Sequence, residues 1–150
     1  MSELANLIEE MKITYAGDAW HGPSLMETLK DVTAEQAAAR PMNGKCIWEL
    51  VLHIAAWEEV FLGRLEGRVI KSPEDGDFPP IGSGNDDWQA ALARLRNAHE
   101  RLVQATERCT DDQLEKIVPG KDITVGFMLH GAVRHRVYHS GQIGMLKRAL

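Results

Sequence analysis

The stretch TVGFMLHGAVRHRVYHSGQIGMLKRAL, residues 124–150, decides the fold of this chain. Its apolar residues recur at intervals of three and four positions, which is the period of an α-helix that buries one face. The members of this apolar sector are Val125, Met128, Leu129, Ala132, Val133, Ile143 and Leu146. The pattern predicts a helix from Thr124 to near the C-terminus that packs against other helices.

Outward from this segment, the same helical spacing occurs in three further long stretches, covering roughly residues 2–16, 46–66 and 86–109. Ser2 is the predicted N-cap of the first and Asn85 of the third, and Pro23 is expected to open a short helix between the first two. No alternating strand pattern occurs. The sequence therefore predicts an all-α four-helix bundle with long crossover connections, formed by residues 1–150 as a single domain.

The connecting segments carry signals of their own. Residues 31–39 are predicted to form a brief helical turn, and Thr110 with Gln113 resembles a capping box for another. Residues 67–84 are rich in glycine and proline and contain Phe78, which indicates a loop long enough to cover a functional site.

Composition narrows the classes of partner. The chain carries a net charge of −5, and its longest basic block is the pair Lys147-Arg148, so we expect neither nucleic acid nor membrane as a partner. The N-terminal residues are acidic where a signal peptide needs a basic start and an apolar run, which predicts a cytoplasmic protein. Cys46 and Cys109 lie far apart, which is typical of reduced thiols.

Histidines supply the main chemical signal. His135 and His139 stand at i and i+4, which places both rings on one helix face, about 6 Å apart and close enough to share a metal ion. His53 borders the apolar sector of the second long helix in the same way, so the borders of the two helices could meet. Three imidazoles with a further position open to water would form a catalytic divalent site. The spacing equally fits three half-exposed histidines that only form hydrogen bonds.

The remaining three histidines are weaker candidates for metal ligands. His99 shares an apolar stripe, which favours a core histidine bonded to a neighbour over a fourth ligand. His130 lies toward the polar side of its helix and is expected to be solvated, whereas His21 sits between helices, where it could line a pocket. Haem is disfavoured because histidines at i and i+4 compete for one side of a plane.

Three motifs resemble one known family in combination. They are AWHGPSL at residues 19–25, IWELVLHIAAWE at 47–58 and HRVYHSGQI at 135–143. In this order and at these distances they are similar to the DinB-like superfamily, metal-binding four-helix bundles related to the YfiT type of thiol transferase, and the match covers nearly the whole chain. The resemblance implies one divalent metal ion held by His53, His135 and His139.

The resemblance also implies a class of activity. Related proteins transfer or isomerise small-molecule substrates with thiols such as bacillithiol, mycothiol or glutathione, and many form homodimers. A homodimer is also predicted from the apolar sector of the last helix, which spans about half its circumference. The alternative is a non-catalytic metal-binding protein, stress-linked or a sensor. Imidazole ligands suit several metals, and we expect zinc or nickel.

Several residues are candidates for roles around the metal. Glu49, one turn before His53, is a candidate for proton transfer, although it could equally be an acid that stabilises the helix start. Gln142, one turn beyond His139, could orient a ligand. Trp20, His21 and Phe78 come from connecting segments and are the predicted substrate-pocket residues.

Two residues of the second long helix are given structural roles instead. Trp57 is assigned to the core stripe of this helix. Cys46, at the helix start, could have a lowered thiol pKa, but burial or capping explains it better.

Overall fold

A computed structural model describes residues 1–150. The chain is 63% helical and has no strands, which confirms the predicted all-α class. The four long helices are α1 (Glu3–Ala16), α4 (Ile47–Leu65), α5 (Gly84–Glu107) and α7 (Val125–Arg148). The three short helices are α2 (Leu25–Leu29), α3 (Ala34–Ala38) and α6 (Asp111–Leu114). None of the helices is long and apolar enough to cross a membrane.

Helix starts follow the predicted capping signals in part. The Ser2 hydroxyl accepts a hydrogen bond from the Ala5 amide, and the backbone N–H of Thr110 donates to the Gln113 side chain at 2.8 Å. Pro23 does not open α2, because the Ser24 hydroxyl caps that helix through the Glu27 amide.

The predicted cap of α5 is wrong. The cap residue is Ser83 rather than Asn85, and the next residue, Gly84, adopts a φ of +77° that only glycine takes up without strain. The backbone N–H of Ser83 donates to the Asp87 carboxylate at 2.9 Å, so the helix begins two residues earlier than predicted.

Two hydrophobic clusters fill opposite ends of the bundle. One contains the first halves of α4 and α5 together with the end of α7, and the other contains most of α1, the ends of α4 and α5 and the first half of α7. Helices α4 and α5 therefore run in one direction and α1 and α7 in the other. Of the two long connections, residues 66–83 cross from one end to the other, whereas residues 17–46 stay at one end.

A polar layer separates the two clusters. On α4 it consists of His53 and Glu58, on α5 of His99, and on α7 of His135, Arg136 and His139. Glu58 and the residues on α5 and α7 lie between the stretches of their helices that enter the two clusters, and His53 lies near the end of the α4 stretch that enters the first cluster. Apolar packing at both ends thus holds buried polar side chains in fixed positions in the middle of the bundle.

Candidate metal centre

The three predicted ligands come from two helices of the polar layer. Helix α4 packs against α7, and this contact brings His53 opposite the His135–His139 pair. The side chains are enclosed, with His53 only 5% exposed and His139 buried as well. The ring-to-ring approach expected from the sequence is therefore found.

The ring nitrogens converge on one point. Nε2 of His53 lies 3.0 Å from Nε2 of His139 and 3.0 Å from Nε2 of His135. One nitrogen from each of the three rings lies within 4.8 Å of the other two. This is an arrangement in which three imidazoles can face a single ion.

Hydrogen bonds on the far side of two rings determine where their protons lie. Nδ1 of His53 is 2.6 Å from the Asp77 carbonyl oxygen, and Nδ1 of His139 is 2.6 Å from Oε1 of Gln142. Both oxygens only accept, so each Nδ1 carries a proton, and in the neutral form of each ring the Nε2 lone pair is bare. Two bare lone pairs then face each other at 3.0 Å, an arrangement that a cation between them would stabilise.

The third ring completes the set as a neutral group. Burial lowers the pKa of His135 to about 3, and the neighbouring His139 and His53 add to this effect. Burial also lowers the pKa of His139. Nδ1 of His135 is enclosed and has no hydrogen-bond partner, so its tautomer is free to adapt to a ligand at Nε2. Near neutral pH, His135 and His139 thus offer the unprotonated nitrogen that metals require.

The crossover connection covers one side of the site, where the sequence predicts a cover. Phe78 stacks on the His53 ring with their centroids 4.2 Å apart. Asp77 accepts a hydrogen bond from Nε1 of Trp57 at 2.7 Å, and its carboxylate lies 3.4 Å from Nδ1 of His53. Residues 77 and 78 therefore hold the His53 ring in place from two directions.

A cavity opens beside the triad, which we call the apolar pocket. Its volume is about 450 Å³, and His53 and His135 form part of its wall. The other lining residues are Trp57, Phe61, Arg64, Asp77, Ile123, Phe127, Met128 and Gly131. The sequence-based assignment of Trp57 to the core is thus wrong, because this side chain is half-buried and lines the pocket.

The predicted pocket residues are only partly brought together. Phe78 and Gln142 contact histidines of the triad. Trp20 is 100% exposed and does not line the apolar pocket. His21 lines a different cavity, between α2 and α7. Trp20, His21 and Phe78 therefore do not form one pocket, and aromatic side chains of α4 and α7 line the cavity beside the triad instead.

Glu49 forms hydrogen bonds with its neighbours at the start of α4. Its Oε2 accepts from Nη1 of Arg40 at 2.6 Å and from the Cys46 amide at 2.9 Å. Burial acts to raise the pKa of Glu49, but these hydrogen bonds outweigh it and bring the pKa to about 2. Such a carboxylate is a weak proton acceptor near neutral pH, so the geometry matches the helix-start alternative.

His99 and Cys46 keep the structural roles that the sequence favoured, and His130 stays outside the site. Nδ1 of His99 accepts a hydrogen bond from Arg136 at 3.0 Å, and its ring stacks on Tyr15. Cys46 is fully buried, and burial raises the pKa of its thiol. His130 is partly exposed and lies 3.2 Å from Glu3. None of these residues joins the three-histidine cluster.

Sequence reasoning missed two contributors to the site. Asp77 is one, although its place next to Phe78 in the predicted cover was a usable signal. Arg64 is the other, a buried arginine on the wall of the apolar pocket. No periodicity signal separates Arg64 from an ordinary surface arginine in the last turn of a helix.

Comparison with known proteins gives one match. The model of a family described as the DinB superfamily matches residues 19–143, a range that contains all three histidines of the triad. No curated protein and no solved structure matches the chain significantly.

Proposed function

The chain belongs to the DinB superfamily, and on this basis we propose that it is a metal-dependent enzyme of the thiol S-transferase or related type that acts on a small molecule. His53, His135 and His139 would hold one divalent ion, with zinc or nickel as the expected metal. The thiol cosubstrate is proposed from the resemblance of the sequence motifs to thiol transferases.

The observation that carries this proposal is the pair of bare Nε2 lone pairs. The Asp77 carbonyl and the Gln142 side chain accept hydrogen bonds from the Nδ1–H groups of His53 and His139 and so orient both Nε2 atoms toward the same point. An ordinary pair of buried histidines would share a proton between the rings. Hydrogen bonds of this kind, made on the far side of the ring, are typical of metal-ligating histidines.

The surroundings favour a catalytic over a closed structural site. No cysteine, aspartate, glutamate or fourth histidine joins the cluster, so three protein ligands would leave a position for a solute. A divalent ion bound there would lower the pKa of a coordinated thiol or water. His53 and His135 line the apolar pocket, which gives a small molecule a route to that position.

The experiment that tests this function separates metal binding from catalysis. Untagged protein is analysed for bound metals, stripped with a chelator, reloaded with zinc or nickel, and assayed with a thiol and an alkylating electrophile. We expect thiol consumption that depends on the metal and is lost in His53→Ala. A protein that binds metal at the triad but accelerates no reaction with bacillithiol, mycothiol or glutathione would instead be the non-catalytic alternative.

A further inference from the structure

The apolar pocket contains a charged group that the metal centre does not use. Arg64 is only 6% exposed, and burial lowers the pKa of its guanidinium. Nε donates to the Ile70 carbonyl at 2.8 Å and Nη2 to the Lys71 carbonyl at 3.0 Å. These bonds hold the guanidinium in place, but no carboxylate of the protein pairs with it.

The remaining nitrogen of Arg64 is a free donor. Nη1 makes no hydrogen bond, and the enclosed polar atoms without partners are only Oε2 of Glu58 and Nδ1 of His135. Nη1 is therefore reachable from outside, and the cavity that Arg64 lines is the apolar pocket. A buried cation with an open donor is stabilised by an anion that enters beside it.

The rest of the pocket wall is largely aromatic and suits the apolar part of a ligand. Phe127 is 62% exposed although it is a large aromatic residue, and the Trp57 and Phe61 rings lie 6.0 Å apart on the same wall. The only other charged residue on the wall is Asp77, whose carboxylate accepts from Trp57. A volume of about 450 Å³ lies within the range of small-molecule sites.

We propose that the apolar pocket binds a small monocarboxylate, with its hydrocarbon or aromatic body against Trp57, Phe61 and Phe127 and its carboxylate on Nη1 of Arg64. That this ligand is the substrate of the metal centre rests on the proposed function. The binding itself requires no metal, because Arg64 and the aromatic wall are present in the protein alone.

Two probes with the same phenylbutyl group test whether the pocket prefers a negatively charged ligand. Binding of 4-phenylbutyrate and of uncharged 4-phenylbutanol to metal-free protein is measured by calorimetry and by tryptophan fluorescence, since Trp57 lines the pocket. We expect the acid to bind about tenfold more tightly or better, as a charge-assisted hydrogen bond would provide. Equal affinities would overturn the proposal. Arg64→Gln should remove the preference, and the comparison on the unchanged protein decides the question if this variant does not fold.

A glycine on α7 allows the pocket to be blocked without harming the fold. A Cβ added to Gly131 would meet no atom within 4 Å, so the leucine of Gly131→Leu projects into the pocket. Gly141→Leu is the matched control, because Gly141 lies on the same helix, also has open space around it and is outside the pocket. We expect Gly131→Leu to weaken 4-phenylbutyrate binding by about tenfold or more and Gly141→Leu to leave it unchanged. Unchanged binding in Gly131→Leu would overturn the proposal.

A zinc titration of the same proteins separates the two hypotheses. If the protein binds the probe but no zinc, the proposed function fails and the carboxylate site stands. If it binds zinc but shows no preference for the acid, the carboxylate site fails alone. Light scattering on each variant shows whether the substitutions alter the assembly.

Discussion

Arg136 and Glu58 form an ion pair in the polar layer, with Nε 2.8 Å from Oε1 and each side chain 1% exposed. The same guanidinium donates to the Met11 carbonyl and to Nδ1 of His99. Arg136 thus joins α1, α4 and α5 to α7, next in sequence to the candidate ligand His135. The position of His135 and His139 on α7 against α4 depends in part on this network.

Arg136→Met is expected to lower the free energy of unfolding by about 3–5 kcal/mol, since it leaves the Glu58 carboxylate buried without a partner. Urea denaturation of metal-free protein measures the change. Arg134→Met, on the exposed side of the same helix, is the control and should change stability by less than about 0.5 kcal/mol. Equal effects of the two substitutions would show that the pair contributes no special stability.

As the pH is lowered, the metal-free protein should begin to lose stability near pH 6.5, above the range in which carboxyl groups titrate. Burial lowers the pKa of His99 to about 3, with Arg136 adding to the effect, and His135 is lowered to about 3 as well. An unfolded histidine titrates near 6.5, so between about pH 6.5 and pH 3 the unfolded chain binds more protons and stability falls as the pH falls. Chemical denaturation at several pH values should show this slope.

A variant of His99 measures how much this residue contributes to the loss of stability in acid. His99→Gln removes one titrating group and should flatten the slope between pH 6.5 and pH 3. If His99→Gln does not change the slope of stability against pH, the predicted contribution of His99 to the acid sensitivity is contradicted.

Gln142 should affect metal affinity through His139, although it is not itself a candidate ligand. Gln142→Met removes the acceptor on Nδ1 of His139, so the ring loses the bond that fixes its tautomer and orientation. We expect zinc affinity to fall by about 10- to 100-fold, as is typical for such partners. Competition with a chromophoric chelator measures it, and Gln104→Met on the exposed side of α5 serves as control.

Local sequence patterns predicted the helices and the convergence of the three histidines. The helices follow from spacing within one segment, and the convergence follows from three motifs in a given order. Local patterns did not predict contacts that depend on the path of the crossover. Asp77 reaches His53 from 24 residues away, and only the folded route of residues 66–83 brings them together. Arg136 was missed because an arginine in a helix is normally exposed, and its partner Glu58 lies on another helix.

The predicted homodimer would use a different surface from the apolar sector of α7 that suggested it. The apolar sector of α7 is buried within one chain, whereas Phe127, Tyr138 and Met145 are exposed. Tyr138 and Met145 lie about three and five helical turns beyond Phe127, so the three residues share one face. We expect light scattering to give twice the chain mass of 16.7 kDa, and Tyr138→Lys combined with Met145→Lys to give the monomer. Val69→Lys, at an exposed position outside α7, should remain a dimer. A monomer at micromolar concentration would contradict this prediction.

Alanine at His53, His135 or His139 should abolish tight metal binding and leave the bundle folded. Each change leaves two of the three converging nitrogens, so affinity should fall by orders of magnitude, while the two hydrophobic clusters still hold the helices. Lowering the pH toward 3 should release the ion from the unchanged protein, because protons then compete for the imidazole lone pair of His135, whose pKa burial lowers to about 3. Zinc titration and circular dichroism measure binding and fold separately. His130→Ala is the control, since this partly exposed ring lies near Glu3 and outside the cluster. Full zinc stoichiometry and affinity in His53→Ala would show that the bare Nε2 atoms do not form the site.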